Sequence, residues 1–216
     1  MFKINQVKEI RKEQIKNSFI YTIDNFYQDP EKILNYFLFT ESRPHKENQK
    51  PSYNQIYFDD RRHQINSSEI KPVYKFLSQI CKQEPEDTNI NTNLIKFNSS
   101  DFNDYKSNYW WPHRDSGYTG IVYLNKDEEY GTNLYENISG KEEPPRNCPE
   151  HFEPWRKKSN FKLIKSIKPK FNRMVLFDGC YFIHGMNICG DRYFGDEYRM
   201  NQVFFFKPNH IVYEYS

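Results

Sequence analysis

Apolar residues along the chain change their spacing near residue 87, and the change separates two kinds of element. Residues 1–17 are mostly polar with Val7 and Ile10 on one side, which predicts a weakly helical leader. Residues 19–23, Phe-Ile-Tyr-Thr-Ile, are β-branched and aromatic and predict a strand ended by Asp24-Asn25. Asp29 as N-cap, Pro30 at the first helical position and then Glu31 predict a helix start. Ile33, Leu34, Phe37 and Leu38 recur on one face of that helix. From Thr40 to Tyr53 the chain is polar and predicts a loop. Ser67-Ser68-Glu69 opens a second helix, with Ile70, Val73, Leu77, Ile80 and Cys81 along one stripe. Pro72 is expected in its first turn, where a missing N–H costs little.

After Asp87 the apolar runs become short. Residues 91–98, 120–125, 132–136, 161–167, 173–177, 181–184 and 199–207 predict strands divided by polar turns. Residues 137–160, rich in Glu, Pro, Lys and Arg, interrupt them as a long insertion. Helices first and strands afterwards predict an α+β fold in one domain spanning 1–216. Its expected parts are a helical segment at 1–87, a β-barrel core at 88–210 and the insertion. Aromatic residues make up 18% of the chain, nearly all Phe and Tyr, which suits half-buried sheet.

Charge narrows the partners only a little. A net charge of +2 with scattered Lys and Arg disfavours nucleic acid as an obligate partner without excluding it. No apolar run is long enough for a membrane span. Met1 to Lys16 is charged throughout and lacks the apolar stretch of a secretory signal, so the expected location is cytoplasmic. Cys81, Cys148, Cys180 and Cys189 show no C-x-x-C spacing, which argues against a zinc ribbon or redox dithiol.

The candidate chemistry lies in Trp111-Pro112-His113-Arg114-Asp115 and in the later Phe182-Ile183-His184-Gly185. In extended backbone, side chains two apart point the same way, so His113 and Asp115 can reach one ion together. With His184 they make a 2-His-1-carboxylate set, which leaves half an octahedron open and suits non-haem Fe(II) and O2. An H-x-D triplet alone arises often by chance. Here it stands just before the apolar run 120–125, and His184 follows the runs at 173–177 and 181–183. The other histidines, His45, His63, His151 and His210, read as surface or packing residues.

Tyr123-Leu124-Asn125 after the H-x-D, then Gly131-Thr132-Asn133-Leu134-Tyr135, resemble the Y-L-N…G-G-T-x-x-(F/Y) pattern of 2-oxoglutarate/Fe(II) oxygenases of the prolyl-4-hydroxylase type. Asn172 to Gly179 is similar to their strand before the distal histidine, and Arg199 to Phe206 to the strand carrying their co-substrate arginine. The opening stretch from Ile23 to Pro30 is similar to the start of a bacterial and phage branch of that superfamily. The resemblance covers residues 19–207. It implies a double-stranded β-helix (jelly roll) core with N-terminal helices packed on the outside. It further implies Fe(II) on His113, Asp115 and His184, O2 as oxidant, and 2-oxoglutarate held by Arg199 and the Tyr123 hydroxyl. The implied reaction hydroxylates a C–H bond of a protein side chain, proline among them, or of a small molecule, releasing succinate and CO2. A nucleobase-oxidising or demethylating enzyme of the same chemistry, and a non-enzymatic cupin-like metal-binding barrel, remain as alternatives.

Two residues depart from the pattern. Tyr130 stands where the first glycine of G-G-T is usual. Arg199 follows His184 by fifteen positions (199 − 184), farther than is typical, and Arg192 is nearer the usual separation. Arg199 is favoured because it opens an apolar strand, a rigid platform for a carboxylate clamp, whereas Arg192 sits among Gly and Asp. Asp115 argues against a halogenase, which would need that coordination position for halide. Residues 40–60 and 137–160 are candidate substrate lids by position.

Overall fold

The computed structural model describes residues 2–6, 9–39, 43–44, 58–64, 67–81, 85–97, 105–141, 155–193, 197 and 199–208. His45, His151, His210 and most of the two candidate lids lie outside them.

The N-terminal segment is a strand rather than the expected helix. β1 (Ile10–Ile15) pairs antiparallel with β2 (Ser18–Ile23), Ile10 opposite Ile23 and Ile15 opposite Ser18. A tight turn with Lys16 at φ 53° joins them. Its apolar stripe is too thin to bury a helix, so the ladder offered by β2 decides the conformation. The two expected helices form. In α1 (Pro30–Phe39) the Lys32 N–H donates to Asp29 Oδ1 at 3.1 Å, the cap read from the sequence. α2 (Ser67–Cys81) buries Val73 and Leu77 completely. Pro72 falls in its second turn, inside the helix, not in the first. The lost backbone donor is tolerated because burial of that stripe outweighs it.

The remaining strands are β3 (Arg43–Pro44), β4 (Phe58–Gln64), β5 (Pro85–Phe97), β6 (Asn108–Trp110), β7 (Tyr118–Tyr123), β8 (Thr132–Asn137), β9 (Trp155–Lys157), β10 (Phe161–Ile167), β11 (Met174–Asp178), β12 (Ile183–Met186) and β13 (Arg199–Pro208). An eight-stranded sheet runs β1-β2-β11-β7-β13-β5-β4-β3, a smaller one runs β10-β8-β12, and β6 and β9 form a ribbon. With β1 to β4 in it, the segment 1–87 is mixed rather than helical. β4 reads Phe-Asp-Asp-Arg-Arg-His-Gln and has no apolar alternation, so only its pairing with β5 reveals it. His63 lies in this strand. β9, at the end of the expected insertion, pairs with β6 through Trp155 opposite Trp110.

Alternation along the central strands gives the large sheet two buried faces. Ile121 and Tyr123 of β7, with Val175 and Phe177 of β11, meet Leu134 of β8 and Ile167 of β10, so the two sheets pack face to face. The intervening residues Val122, Met174, Leu176, Met200 and Phe204 form a second core with Ile33 of α1 and Val73 and Leu77 of α2. Strands buried on both sides read as unbroken apolar runs, which is why β7, β11 and β13 were legible. Each such side chain contributes roughly 1.5–3 kcal/mol on burial. The architecture is mostly β and compatible with a jelly roll. No helix among the described residues is long and apolar enough to cross a membrane.

Candidate metal centre

Two chain segments far apart in sequence meet at an isolated antiparallel bridge between His113 and His184. The His113 N–H donates to His184 O at 3.0 Å and the His184 N–H to His113 O at 2.8 Å. Residues paired across a bridge project to the same side, and the two imidazole centroids lie 4.5 Å apart. Gly185 permits the approach, since a Cβ there would fall 2.3 Å from Trp110 O. Trp111, at φ 41°, turns the chain from the ribbon into the H-x-D segment.

Asp115 completes the cluster. Its Oδ2 lies 3.0 Å from His184 Nε2 and its Oδ1 lies 3.7 Å from His113 Nε2. One donor atom from each residue lies within 4.8 Å of the others. Donors bound at right angles to one ion by bonds of about 2.1 Å sit roughly 3 Å apart, so small side-chain rotations bring all three onto one ion. It is the group of three metal-ligating side chains found among the described residues.

Hydrogen bonding fixes which imidazole nitrogen faces inward. His113 Nδ1 lies 2.7 Å from Trp111 O and His184 Nδ1 lies 3.1 Å from Phe182 O. A carbonyl only accepts, so each Nδ1 carries the hydrogen and each ring turns Nε2 towards Asp115, as a lone pair wherever the ring is neutral. A lone pair and a carboxylate oxygen 3.0 Å apart repel unless a cation, metal or proton, lies between them. Burial pushes the Asp115 carboxyl up, but His184 and His113 in their protonated form, with the Thr119 hydroxyl, outweigh it and hold it well below the usual carboxylate range, so a proton and a metal compete for the same position. The donor set therefore fits a divalent metal: two neutral nitrogens and one anion, all on one side.

A second polar group lies on the face of the large sheet that carries Thr119 and Tyr123. Arg199, at the start of β13, is buried. Its Nε donates to Tyr130 O at 3.1 Å and a terminal nitrogen lies 3.5 Å from Gly131 O. Among the described residues no carboxylate forms an ion pair with it, and burial lowers its pKa. The guanidinium carbon is 6.0 Å from the Tyr123 ring centroid. The Tyr123 hydroxyl shares a 2.7 Å hydrogen bond with Thr132 Oγ1, and burial raises its pKa. Asn201, opposite Tyr123 in the register, is also buried, and its Oδ1 has no hydrogen-bond partner. A buried cation with no ion-pair partner among the described residues fits an anionic ligand. Arg192, the competing arginine, is instead half-exposed and paired with Glu197 at 2.5 Å.

Tyr130 holds φ 56°, the left-handed conformation a glycine would take at no cost, so the altered G-G-T turn keeps a glycine-like shape. Its ring packs on Tyr193 at 4.8 Å, while its carbonyl meets Arg199. Sequence reading overlooked Thr119 and Asn201. Both were findable in the alternation, because Thr119 shares a face with Ile121 and Tyr123, and Asn201 with Arg199.

No family model matches the chain, and no curated protein matches it. Among solved structures, a prolyl-4-hydroxylase of Pseudomonas putida is similar with a TM-score of 0.42 and 11% identity, over 83% of this chain and 84% of that one. At that distance the likeness decides neither fold nor activity, and both rest on the geometry above.

Proposed function

We propose that this chain is a non-haem Fe(II) oxygenase that uses 2-oxoglutarate as co-substrate on a double-stranded β-helix framework. One observation carries the reading: Thr119, which binds Asp115 of the His-Asp-His cluster, shares a face of the large sheet with Arg199, which is buried and forms no ion pair among the described residues. When bound, Fe(II), 2-oxoglutarate and O2 supply the oxidation of an unactivated C–H bond, with succinate and CO2 released.

The chain's own residues orient and insulate that chemistry. His113 and His184 offer Nε2 because their Nδ1 hydrogens are engaged by backbone carbonyls. Asp115 would offset part of the metal charge as the one anionic donor of the set. Arg199 presents a planar fork to the far carboxylate of the co-substrate, a geometry a lysine cannot supply. The Tyr123 hydroxyl, on the same face, adds a hydrogen-bond donor. Along β7, Thr119 lies at the metal end and Tyr123 at the arginine end, four residues or about 13 Å of strand apart. Ile121, between them, and Phe177, whose ring lies 4.9 Å from His184, keep water from the space. The hydroxylated substrate is a protein side chain, proline among the candidates, or a small molecule.

Anaerobic titration of metal-free protein with Fe(II) and then 2-oxoglutarate tests the reading. A visible charge-transfer band should appear on the second addition and be absent in His113→Ala. Folded, iron-replete protein that gives no band would sink it.

A further inference from the structure

Asp115 is a ligand on irregular backbone. It lies between the His113 bridge and the start of β7, with bends at Ser116 and Gly117, so no ladder orients its carboxylate. Its one main-chain tie is the N–H donated to Gly179 O at 2.9 Å. A free Asp side chain has several rotamers, and its two oxygens are equivalent to a metal. Something else must choose between them.

Thr119 is placed to choose. It sits on β7, fully buried and paired with Phe177 of β11. Its Oγ1 donates to Asp115 Oδ2 at 2.5 Å. A β-branched side chain in a ladder has a restricted χ1, so the hydroxyl direction is set by the sheet rather than by the loop. On the other side Gly179 closes the contact. A Cβ there would fall 2.2 Å from Thr119 Oγ1, 2.9 Å from Gly117 O and 3.0 Å from Asp115 Cβ. The φ of Gly179 is not left-handed, so its lack of a side chain serves space, not conformation.

We infer that Thr119 is the positioning residue for Asp115, holding Oδ2 so that the carboxylate binds the metal through one oxygen in one orientation. The inference rests on the metal-centre reading above. A carboxylate without this hold can rotate or chelate through both oxygens. Chelation would take a coordination position that the co-substrate and O2 need. The sheet thereby transmits its rigidity to a ligand that stands outside it.

The test is titration of metal-free protein with Mn(II) and with Co(II), following affinity by calorimetry and melting temperature in parallel. Thr119→Val keeps the shape and removes the hydroxyl. Thr119→Ser keeps the hydroxyl and removes a buried methyl. Supports of metal ligands typically contribute 10–100-fold in affinity, so Thr119→Val should bind each metal about 10–100-fold more weakly at a near-normal melting temperature. Thr119→Ser should bind within about threefold of the parent while melting lower. That crossing separates positioning from packing. If Thr119→Val binds as the parent does, or if both variants weaken alike, the inference is overturned while the metal centre stands. If the parent protein binds neither metal, the centre and the inference fall together.

Discussion

His113 and His184 are joined main chain to main chain by two hydrogen bonds, 3.0 and 2.8 Å long, so that one bridge aims both imidazoles at Asp115. The pairing is a property of the backbone, and its weak point is a residue with no side chain.

Gly185 is that residue. In Gly185→Ala the new methyl would meet Trp110 O at 2.3 Å, and a backbone oxygen of the β6–β9 ribbon cannot rotate aside. The expected cost is about 1–3 kcal/mol by urea denaturation, with metal affinity reduced at least tenfold. Gly140→Ala is the contrast: nothing lies within 4 Å of its Cβ, but φ is +70°. It should lose about 1 kcal/mol of stability and bind metal normally.

Arg199 places a charge inside the protein for the sake of a ligand. Arg199→Met should leave the melting temperature of ligand-free protein unchanged or raise it, because a buried cation with no ion pair among the described residues is a burden. It should abolish the thermal shift that 2-oxoglutarate produces with metal present. Arg199→Lys keeps the charge and loses the fork, so a roughly 10–100-fold weaker co-substrate affinity is expected. An undiminished 2-oxoglutarate shift in Arg199→Met would remove Arg199 from the site.

Tyr130 combines backbone strain with a buried ring. Tyr130→Gly relieves a left-handed conformation costing about 1–2 kcal/mol. It also deletes an aromatic packed on Tyr193, a loss of about 3–5 kcal/mol. The packing term is larger, so the variant should be net less stable by about 2 kcal/mol in chemical denaturation. A stabilised variant would mean the ring contributes little.

Asp24 gives the fold a defined acid sensitivity. Arg173 binds it with Nε at 2.6 Å, and Arg11 and Lys170 approach at 2.9 and 3.5 Å. The Arg173 hydrogen bond, helped by the charges of Arg173, Lys170 and Arg11, outweighs burial and holds the carboxyl at about 2. A lowered folded-state pKa stabilises wherever the carboxylate is ionised in the unfolded chain as well. The contribution, about 2 kcal/mol, is complete above roughly pH 5 and is lost as pH falls through 4 towards 2. Asp24→Asn should be less stable than the parent at pH 7, and the gap should close by pH 2. A gap that does not change with pH would assign the cost to lost packing.

Legibility followed the range of the interactions. The cap at Asp29, the stripe of α2 and the apolar runs of β7, β11 and β13 are written in neighbouring residues and were readable. β1 and β4 were not, because their residues lack a burial pattern and their conformation comes from partner strands. At the site, the two-residue spacing of His113 and Asp115 marked a ligand pair, and the apolar strand after Arg199 marked a rigid platform. The roles of Thr119 and Asn201 left only a position in an alternation.

The sequence by itself determined which side chains were available and, along the apolar strands β7, β11 and β13, which way each faced, since that depends on local backbone period. Only the tertiary structure decided that His184 meets His113, that Gly179 and Thr119 close on Asp115, and that Arg199 is buried with no ion pair among the described residues. Those contacts depend on strand order and register between segments far apart in the chain. They form only when two sheets bury their facing sides together, a choice made by the whole chain at once.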